Sequence, residues 1–372
     1  MGLIFILSNQ SYSMDTIARE ALIVDMQTGT SLMEKNPDAP MPPASMSKLM
    51  TLYILFEQLQ NGSLKLDDTF KVSEKAWRLG GFKSGSSTMG LNPGERVKIE
   101  DLIRGIIVQS GNDACIVVAE GLAGSEELFA EQMNTKAKLL GLKNSTFKNS
   151  TGWPHPAHRM TPRDLVTLTM RTISDFPKYY HYYKETEFTH NRIKQFNRNP
   201  LIFTDPTVDG LKTGYTQEAG YGLTASALRG GRRLIIVVNG LTSKKARRKE
   251  PERLFDWGFR EFNNYELFKA GEIIDEADVW LGTESKVPFV INDNLTLTLK
   301  RKLKANMKVT LKYKSPIPAP ISKGDKIGVL EVKIPYQETI KMDVIAGQSV
   351  KQLGFLGRLV ALFTSVIWGV SG

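Results

Sequence analysis

Three short groups of polar residues have the side-chain types that acyl transfer through a serine requires. The first is Ser45-Met46-Ser47-Lys48, which opens an apolar-periodic segment that predicts a helix from about Ser45 to Gln60, closed by Asn61-Gly62. On a helix this spacing puts Ser45 and Lys48 on one face, one turn apart. A serine hydroxyl is a poor nucleophile without a base, and a lysine can be that base once burial and a second cation lower its pKa. We therefore predict Ser45 as a nucleophile, with helix N-terminal N–H groups facing the developing oxyanion.

Ser-x-x-Lys alone is a weak signal. Ser145-Thr146-Phe147-Lys148 has the same spacing, but no apolar helix follows it, and we interpret it as a chance match in a loop. For the first copy, a simple helix N-cap at Ser45 is the alternative.

The second group, Ser110-Gly111-Asn112, lies between two apolar helical segments. This position predicts a tight turn that points both polar side chains into one cleft. Ser110 would pass a proton to the leaving group, and Asn112 would hydrogen-bond the substrate amide or the lysine. Taken alone, Ser-x-Asn is only a turn pattern.

The third group, Lys212-Thr213-Gly214-Tyr215, precedes a predicted β-hairpin and is expected on an edge strand. Lys212 supplies positive charge to a substrate carboxylate, and Thr213 can donate a hydrogen bond to it. Gly214 lets the substrate pair closely with the backbone. The Tyr215 N–H would be the second oxyanion donor, opposite that of Ser45.

Both strands and helices are predicted in the segments around these three groups. The predicted strands are 21–26 paired with 30–34, and 221–228 paired with 232–239 across Gly230-Gly231. Helical periodicity covers 100–122, 125–141, 162–174 and about 246–260, the last ending near Asn263-Asn264. We expect an α/β catalytic domain over 14–262, in which a sheet has helices on both sides and a helical subdomain beside it.

Beyond residue 265 the apolar residues recur at every second position, the spacing that is typical of β-strands. Leucine alternates with threonine over 295–299, and apolar residues alternate with Thr310 and Lys312 over 309–313, which predicts a small all-β domain over 265–348. Its lysine-rich strand faces are typical of solvated sheets, and no aromatic residues are interleaved to stack bases. Nucleic acid is therefore not expected as a partner.

Both ends of the chain carry apolar segments. A short apolar run and the small-x-small pattern Ser11-Tyr12-Ser13 predict a signal peptide remnant over 1–13, with a terminal strand as the alternative. From Val350 to Val370 apolar residues recur at helical spacing, in a stretch too short for a spanning helix. We predict an amphipathic membrane anchor over 350–372, with Trp368 at head-group depth; a helix docked on the protein's own core is the alternative.

Composition narrows the chemistry further. The 372 residues include 49 Lys plus Arg against 39 Asp plus Glu, a formal net charge of +10 that favours an anionic substrate or surface. The single cysteine, Cys115, excludes an intrachain disulfide framework and a Cys-cluster metal site, and we interpret it as core filling. His155 and His158 are close in sequence but lack a third ligand, so neither a metal nor another cofactor is expected.

Together, in this order and on these elements, the three groups resemble the motif set of penicillin-binding proteins and class A-type β-lactamases. Further segments resemble the low-molecular-mass D-alanyl-D-alanine carboxypeptidases: Pro42-Pro43-Ala44-Ser45-Met46-Ser47-Lys48-Leu49-Met50-Thr51, Gly85-Ser86-Ser87-Thr88-Met89, Gln109-Ser110-Gly111-Asn112-Asp113-Ala114-Cys115, Asn197-Arg198-Asn199 and Val208-Asp209-Gly210. The resemblance covers nearly the whole chain. It implies that Ser45 is acylated and that Lys48 is its base. It also implies that Ser110 relays a proton and that Lys212 binds substrate, with Arg198 as a second contact to the terminal carboxylate.

The resemblance implies a penicillin-binding/serine β-lactamase-like transpeptidase fold with a smaller all-β C-terminal domain and a terminal amphipathic helix. It implies an enzyme that removes the terminal D-alanine from peptidoglycan stem peptides through an acyl-enzyme and is inhibited by β-lactams. Such an enzyme is delivered to the periplasm by a signal peptide and is held peripherally on the outer face of the cytoplasmic membrane. Its partners would be the stem peptide, β-lactams and the anionic membrane surface, and the Gly- and Ser-rich loop 80–90 would lie beside the cleft.

Two alternatives stay open at this point. A β-lactamase shares the three motifs, but its chain would normally stop after the catalytic domain, and between Asn112 and Lys212 we expect no clear Glu-x-x-Asn element to activate a deacylating water. A non-catalytic, membrane-tethered cell-wall binder would keep the fold, but it would not require Ser45, Lys48 and Ser110 together.

Overall fold

The computed structural model describes residues 14–368, and these fall into two compact units, 14–260 and 261–368. The predicted signal remnant, residues 1–13, and residues 369–372 of the predicted anchor lie outside the described residues. The first unit carries the three polar groups.

The first unit combines an antiparallel sheet with helices. In chain order its strands and helices are β1 (Glu20–Asp25), β2 (Ser31–Lys35), α1 (Lys48–Gln60), β3 (Thr69–Lys71), α2 (Glu74–Gly80), β4 (Arg96–Lys98), α3 (Ile99–Ile107), α4 (Asn112–Ala123), α5 (Glu126–Leu139), α6 (Pro162–Asp175), β5 (Glu187–His190), β6 (Ile193–Phe196), β7 (Val208–Thr216), β8 (Gly220–Arg229), β9 (Arg232–Leu241) and α7 (Lys244–Glu261).

The main sheet has the strand order β2-β1-β9-β8-β7, and all of its pairings are antiparallel. Successive side chains of a strand point to opposite faces. One face joins the core formed with α1, α3, α4 and α6, through Leu22, Val24, Ile235 and Val237. On the other face, Ile23 and Leu234 lie near Gly258 of α7. The predicted sheet with helices on both sides is confirmed, and β7 forms its edge.

The segment around Ser45 differs from the prediction, because the α-helix begins at Lys48 rather than at Ser45. Residues Ala44–Ser47 form a 3-10 turn, in which the N–H of Met46 donates to the carbonyl of Pro43 at 3.1 Å. This bond spans three residues and makes a tighter turn than the α-helix. Ala44 has a left-handed φ of +47°, a strained conformation for a residue with a side chain. Ser45 is thus presented by a strained turn that continues into α1.

The second unit is built from strands. In chain order these are β10 (Phe262–Phe268), β11 (Asp275–Trp280), β12 (Lys286–Val290), β13 (Leu295–Lys300), β14 (Lys308–Lys312), β15 (Ile317–Pro318), β16 (Lys326–Lys333) and β17 (Ile340–Ala346). Six of them form one sheet in the order β14-β16-β17-β12-β11-β15, and β10 pairs with β13. The all-β prediction for this part is confirmed. The helix predicted to end near Asn263-Asn264 ends at Glu261, and both asparagines lie in β10.

The last element of the described residues is helix α8 (Phe355–Trp368), which begins after the predicted Val350. Val350 forms backbone hydrogen bonds with Ile321 in both directions, at 2.8 and 2.9 Å, so it belongs to the β unit and not to the helix. In the first turns of α8, Phe355, Leu356 and Val360 are 69%, 77% and 63% exposed. Within residues 14–368, no helix has the length and apolar character needed to cross a membrane.

Candidate active site

A cleft of about 800 Å³ brings the three polar groups together. The predicted site residues that line it are Ser45, Ser110, Asn112, Arg198, Thr213 and Tyr215. Lys48 and Lys212 adjoin these residues and are 0% and 1% exposed. The fold therefore places every predicted site residue in or beside one cleft.

Lys48 Nζ is surrounded by three oxygen atoms. It lies 2.8 Å from Ser45 Oγ, 2.7 Å from Asn112 Oδ1 and 2.6 Å from the carbonyl oxygen of Thr151. A carbonyl oxygen only accepts hydrogen bonds. A neutral amine has two N–H bonds and one lone pair. When the two N–H bonds point to the Asn112 and Thr151 oxygens, the lone pair faces Ser45 Oγ, ready to take its proton.

Burial makes this proton transfer feasible near neutral pH, because it lowers the pKa of Lys48 from 10.5 to about 8. The pKa of Lys212 lies well below its usual value, first because of burial and then because of the charges on Lys48 and Arg198. The three cations therefore repel one another. A carboxylate bound beside them would relieve this repulsion, so the electrostatics of the site favour an anionic substrate group.

The edge strand β7 carries the third group close to the turn of Ser45. A methyl group added to Gly214 would lie 2.8 Å from the carbonyl oxygen of Pro43 and 3.2 Å from Ala44 Cβ. The absence of a side chain at Gly214 is thus required by the 3-10 turn, a reason that differs from the substrate pairing expected from the sequence. This packing brings the Gly214-Tyr215 peptide next to the 3-10 turn that contains Ser45.

Ser110 occupies the turn between α3 and α4, as predicted. It has a left-handed φ of +63° and is 2% exposed. Strained backbone of this kind in a residue other than glycine clusters at functional sites. The next helix begins at Asn112, whose amide oxygen binds Lys48, so one turn supplies a hydroxyl to the cleft and a ligand to the lysine.

Asp113, for which the sequence predicted no role, connects the Gly- and Ser-rich loop 80–90 to this turn through hydrogen bonds. Its buried carboxylate accepts four hydrogen bonds from residues 88–91, at 2.6 to 3.2 Å. The N–H of Asn112 also donates to the Ser87 carbonyl at 2.7 Å. These bonds hold the loop so that Gly85, Ser86 and Ser87 line the cleft, where the resemblance places it.

Cations line the cleft, and among its described lining residues none is Asp or Glu. Arg198 donates to Ser87 Oγ. Arg247, also missed from the sequence, places its guanidinium 5.5 Å from the ring centre of Tyr221. Its Nε is buried and has no hydrogen-bond partner within the described part of the chain. Arg247 is therefore a cation in the cleft wall, and one buried N–H of its side chain has no partner among the described residues.

The third missed group is the backbone carbonyl of Thr151, in the loop after α5. Asn149 Oδ1 accepts the N–H groups of Thr151, Gly152 and Trp153 at 3.2, 2.8 and 3.1 Å. A side chain that binds the following backbone in this way fixes a turn. The sequence signal is the run of turn-forming residues Asn149-Ser150-Thr151-Gly152, which does not by itself indicate a link to Lys48.

We expect that Gly152→Ala will disturb the site as well as the fold. Gly152 has a φ of +80°, and an added methyl group would overlap the carbonyl oxygen of Ala44. Backbone strain and overlap together should cost about 2–4 kcal/mol and lower the acylation rate about tenfold or more. Gly141→Ala is the control, since Gly141 has a φ of +75° and open space around its Cα. Thermal unfolding and acylation rates measured side by side test this, and equal effects of the two variants would contradict it.

Four further residues that the sequence brought into question lie outside the reaction. Cys115 is fully buried, and burial raises its pKa to about 12, as suits core filling. Ser145 of the second Ser-x-x-Lys copy lies in a loop and donates to Asp164 at 2.7 Å. The expectation of no Glu-x-x-Asn element is wrong, because Glu131 and Asn134 have that spacing on α5. Glu131 is exposed, Asn134 bonds to the backbone of Ala130 and Phe147, and neither lines the cleft.

The comparisons with known families cover both units. Residues 8–243 match the family described as D-alanyl-D-alanine carboxypeptidase, and residues 262–352 match the C-terminal domain of penicillin-binding protein 5. The D-alanyl-D-alanine carboxypeptidase DacC of Escherichia coli (strain K12) is 39% identical over 345 residues, which are 92% of this chain and 86% of that protein.

Solved structures show the same architecture. Penicillin-binding protein 5 from Haemophilus influenzae superimposes with a TM-score of 0.81 at 33% identity, over 92% of this chain and 100% of that chain. Penicillin-binding protein D2 from Listeria monocytogenes in the ampicillin-bound form gives a TM-score of 0.57 at 29% identity, over 67% of this chain and 100% of that chain. The penicillin-binding fold with a smaller all-β C-terminal domain, which the sequence resemblance implies, is confirmed.

Proposed function

Because the chain belongs to the D-alanyl-D-alanine carboxypeptidase family and is a serine peptidase of that specificity, we propose that Ser45 is the residue acylated in its reaction. The observation that carries the proposal is the position of Lys48 Nζ, 2.8 Å from Ser45 Oγ and held by two carbonyl oxygens. Peptidoglycan stem peptides are the substrate class and β-lactams the inhibitors.

Acylation begins with the transfer of the Ser45 proton to neutral Lys48. The Ser45 oxygen attacks the carbonyl carbon between the two terminal D-alanines, and the carbonyl oxygen becomes an oxyanion. The N–H groups of Ser45 and Tyr215 are the donors for this oxyanion, supported by the packing of Gly214 on Pro43 and Ala44. Both donors are backbone groups, so they need no reorientation as the charge develops.

The intermediate collapses when the C–N bond breaks and the leaving nitrogen takes a proton. Ser110, in the wall of the same cleft, relays that proton from Lys48, and D-alanine leaves as a free amine. Water then attacks the ester on Ser45 and releases the shortened stem peptide. A β-lactam acylates Ser45 through its own strained amide, but its leaving group stays attached to the acyl-enzyme.

The terminal carboxylate of the substrate binds among the cations. Lys212, Arg198 and Thr213 have this role, and we add Arg247 because it is a further cation that lines the same cleft. A carboxylate accepts hydrogen bonds from such donors and offsets the repulsion between the cations. A substrate with a neutral C-terminus gains neither effect.

Intact-protein mass spectrometry after incubation with penicillin, followed by peptide mapping, tests the nucleophile. A parallel assay measures D-alanine released from a diacetyl-Lys-D-Ala-D-Ala peptide and from the same peptide with a C-terminal amide. An adduct on Ser45, with fast release from the acid and slow release from the amide, supports the proposal. An adduct on another residue contradicts the role of Ser45, and equal release from acid and amide contradicts carboxylate binding.

The division of the chain is proposed as a signal remnant (1–13), a catalytic domain (14–262), a small β domain (265–348) and a membrane anchor (350–372). The helix of the anchor is α8, which begins at Phe355, because Val350 is bonded to Ile321 of the β unit. The exposed apolar side chains of Phe355, Leu356 and Val360 support the anchor, since a helix exposing such residues lowers its free energy at a bilayer interface. The enzyme then works in the periplasm, on the outer face of the cytoplasmic membrane. The net charge of +10 favours an anionic surface there.

We expect the full chain to sediment with vesicles that contain anionic lipid, and a chain ending at Leu353 to stay in the supernatant. Ending there keeps the Leu353 N–H bonded to the Leu281 carbonyl at 2.8 Å, so the β unit stays intact. Both proteins should be acylated by penicillin at the same rate. Equal sedimentation of the two chains would contradict the anchor. The difference in binding between anionic and neutral vesicles measures the electrostatic contribution.

A further inference from the structure

Glu126, the first residue of α5, contacts the loop that holds the lysine. Its Oε1 accepts hydrogen bonds from the N–H and the hydroxyl of Ser150, at 3.1 and 2.7 Å. Ser150 is fully buried, and its carbonyl accepts a bond from Thr51 Oγ1 at 2.7 Å. The next carbonyl, that of Thr151, accepts from Lys48 at 2.6 Å. Glu126 is thus linked to Lys48 through two consecutive loop residues.

Two elements hold this loop from different sides. Lys48 and Thr51 are one turn apart on α1 and bind the two consecutive carbonyls, whereas Glu126 binds the N–H and hydroxyl of Ser150 from α5. A buried residue whose N–H, hydroxyl and carbonyl are all hydrogen-bonded, as in Ser150, has little freedom to rotate. The direction of the Thr151 carbonyl depends on these bonds. The direction in which the lone pair of Lys48 points depends in turn on that carbonyl, because an N–H of the amine is bonded to it.

We propose that Glu126 is a positioning residue for the catalytic base: by holding Ser150 it aims the Thr151 carbonyl at Lys48 Nζ and directs the lone pair of the amine to Ser45 Oγ. The inference rests on the proposed roles of Ser45 and Lys48. Glu126 is not among the residues that line the cleft, so it acts on the reaction through the loop.

The charge of Glu126 gives this role a second readout. The titratable and charged groups that act on Lys48 are Cys115 and Asp113 on α4, Glu126 on α5, Lys212 on β7, Arg198, and His158 in the loop after α5. Burial lowers the pKa of Lys48, and the Glu126 carboxylate partly opposes this. Since Lys48 must be neutral to act as a base, removal of the carboxylate should move the acid limb of the acylation rate to lower pH.

The test compares Glu126→Ala and Glu126→Gln with Glu127→Ala in the full chain. Glu127 is the neighbouring acidic residue in the first turn of α5, and its side chain pairs with Lys75 on the surface. Glu126→Ala removes both acceptor and charge, and we expect turnover of the D-Ala-D-Ala peptide to fall roughly tenfold or more with KM unchanged. Glu126→Gln keeps an acceptor oxygen and should restore most of the rate, with the acid limb still displaced. Glu127→Ala should match the wild type.

Equal turnover of Glu126→Ala and Glu127→Ala would overturn the inference, and so would a failure of Gln to restore the rate. Should Glu126→Ala not fold, Ser150→Ala decides the question. It removes one of the two bonds to Glu126, and a roughly threefold loss of turnover supports the role whereas wild-type turnover overturns it. A wild-type protein without a penicillin adduct on Ser45 would contradict the proposed function itself, so the two failures are distinguishable.

Discussion

Replacing Ser45 by Ala is expected to abolish both the penicillin adduct and the release of D-alanine, with a loss of about 10⁴-fold or more. No acyl-enzyme can form without the hydroxyl, because the other two oxygen atoms bonded to Lys48 Nζ are the amide oxygen of Asn112 and the carbonyl oxygen of Thr151, and neither is a nucleophile. The measurement is adduct mass together with free D-alanine over time.

The fold should tolerate this change, because the variant leaves Lys48 with two of its three oxygen contacts. Ser145→Ala is the matched control: it alters the other Ser-x-x-Lys copy, whose hydroxyl donates to Asp164. We expect it to acylate at the wild-type rate. Acylation of Ser45→Ala at another site would contradict the assignment. Cells that keep their wall phenotype with Ser45→Ala would point to a non-catalytic, wall-binding role.

The element pattern of the fold was predictable from periodicity, whereas the turn that presents Ser45 was not. Apolar spacing reports which face of a helix or strand is buried. The positions of the motifs between the elements found in this way predicted β7 as an edge strand and the turn at Ser110, both correctly. The 3-10 turn depends on Ala44 at a φ of +47° and on Gly214 packing against Pro43. The packing of Gly214 on Pro43 joins residues far apart in the chain, so local propensity does not predict it or the backbone conformation that goes with it.

For the site, the side chains were predictable and the backbone groups were not. A motif specifies residue types, and every residue type has a carbonyl, so nothing in Thr151 indicates that its oxygen binds Lys48. Asp113 follows directly after a motif residue, but an acidic residue at a helix start is common. Arg247 enters the cleft because α7 follows the strand that pairs with β8, a relation that only the folded chain shows.

The acylation rate is expected to rise about tenfold per pH unit below pH 8 and then to level off. The proton acceptor is neutral Lys48, whose pKa burial lowers from 10.5 to about 8. At pH 7 an amine with that pKa is neutral in about one molecule in ten, against about one in 3,000 at a pKa of 10.5. Rates of acylation by a fluorescent penicillin between pH 5.5 and 10 test this. A limb that ends near pH 10.5 would contradict the lowered pKa of Lys48, and a flat profile from pH 6 to 9 would contradict lysine as the base.

Lys48→Met removes the amine but keeps an unbranched apolar stem, and it should reduce acylation roughly 10³-fold and remove the limb near pH 8. Lys148→Met, in the other Ser-x-x-Lys copy, is the control and should preserve both the acylation rate and its pH profile.

The buried amine of Lys48 should also make the free energy of unfolding depend on pH. Because the folded pKa is lower than the unfolded value, the unfolded chain binds more protons between about pH 8 and 10.5, so folding stability should rise with pH across that window. Lys48→Met should lose the share of this rise that Lys48 contributes and keep the share of Lys212, whereas Lys148→Met should keep the whole rise. The difference between the two variants in urea unfolding at pH 8 and pH 10 then reports the proton on Lys48 independently of catalysis.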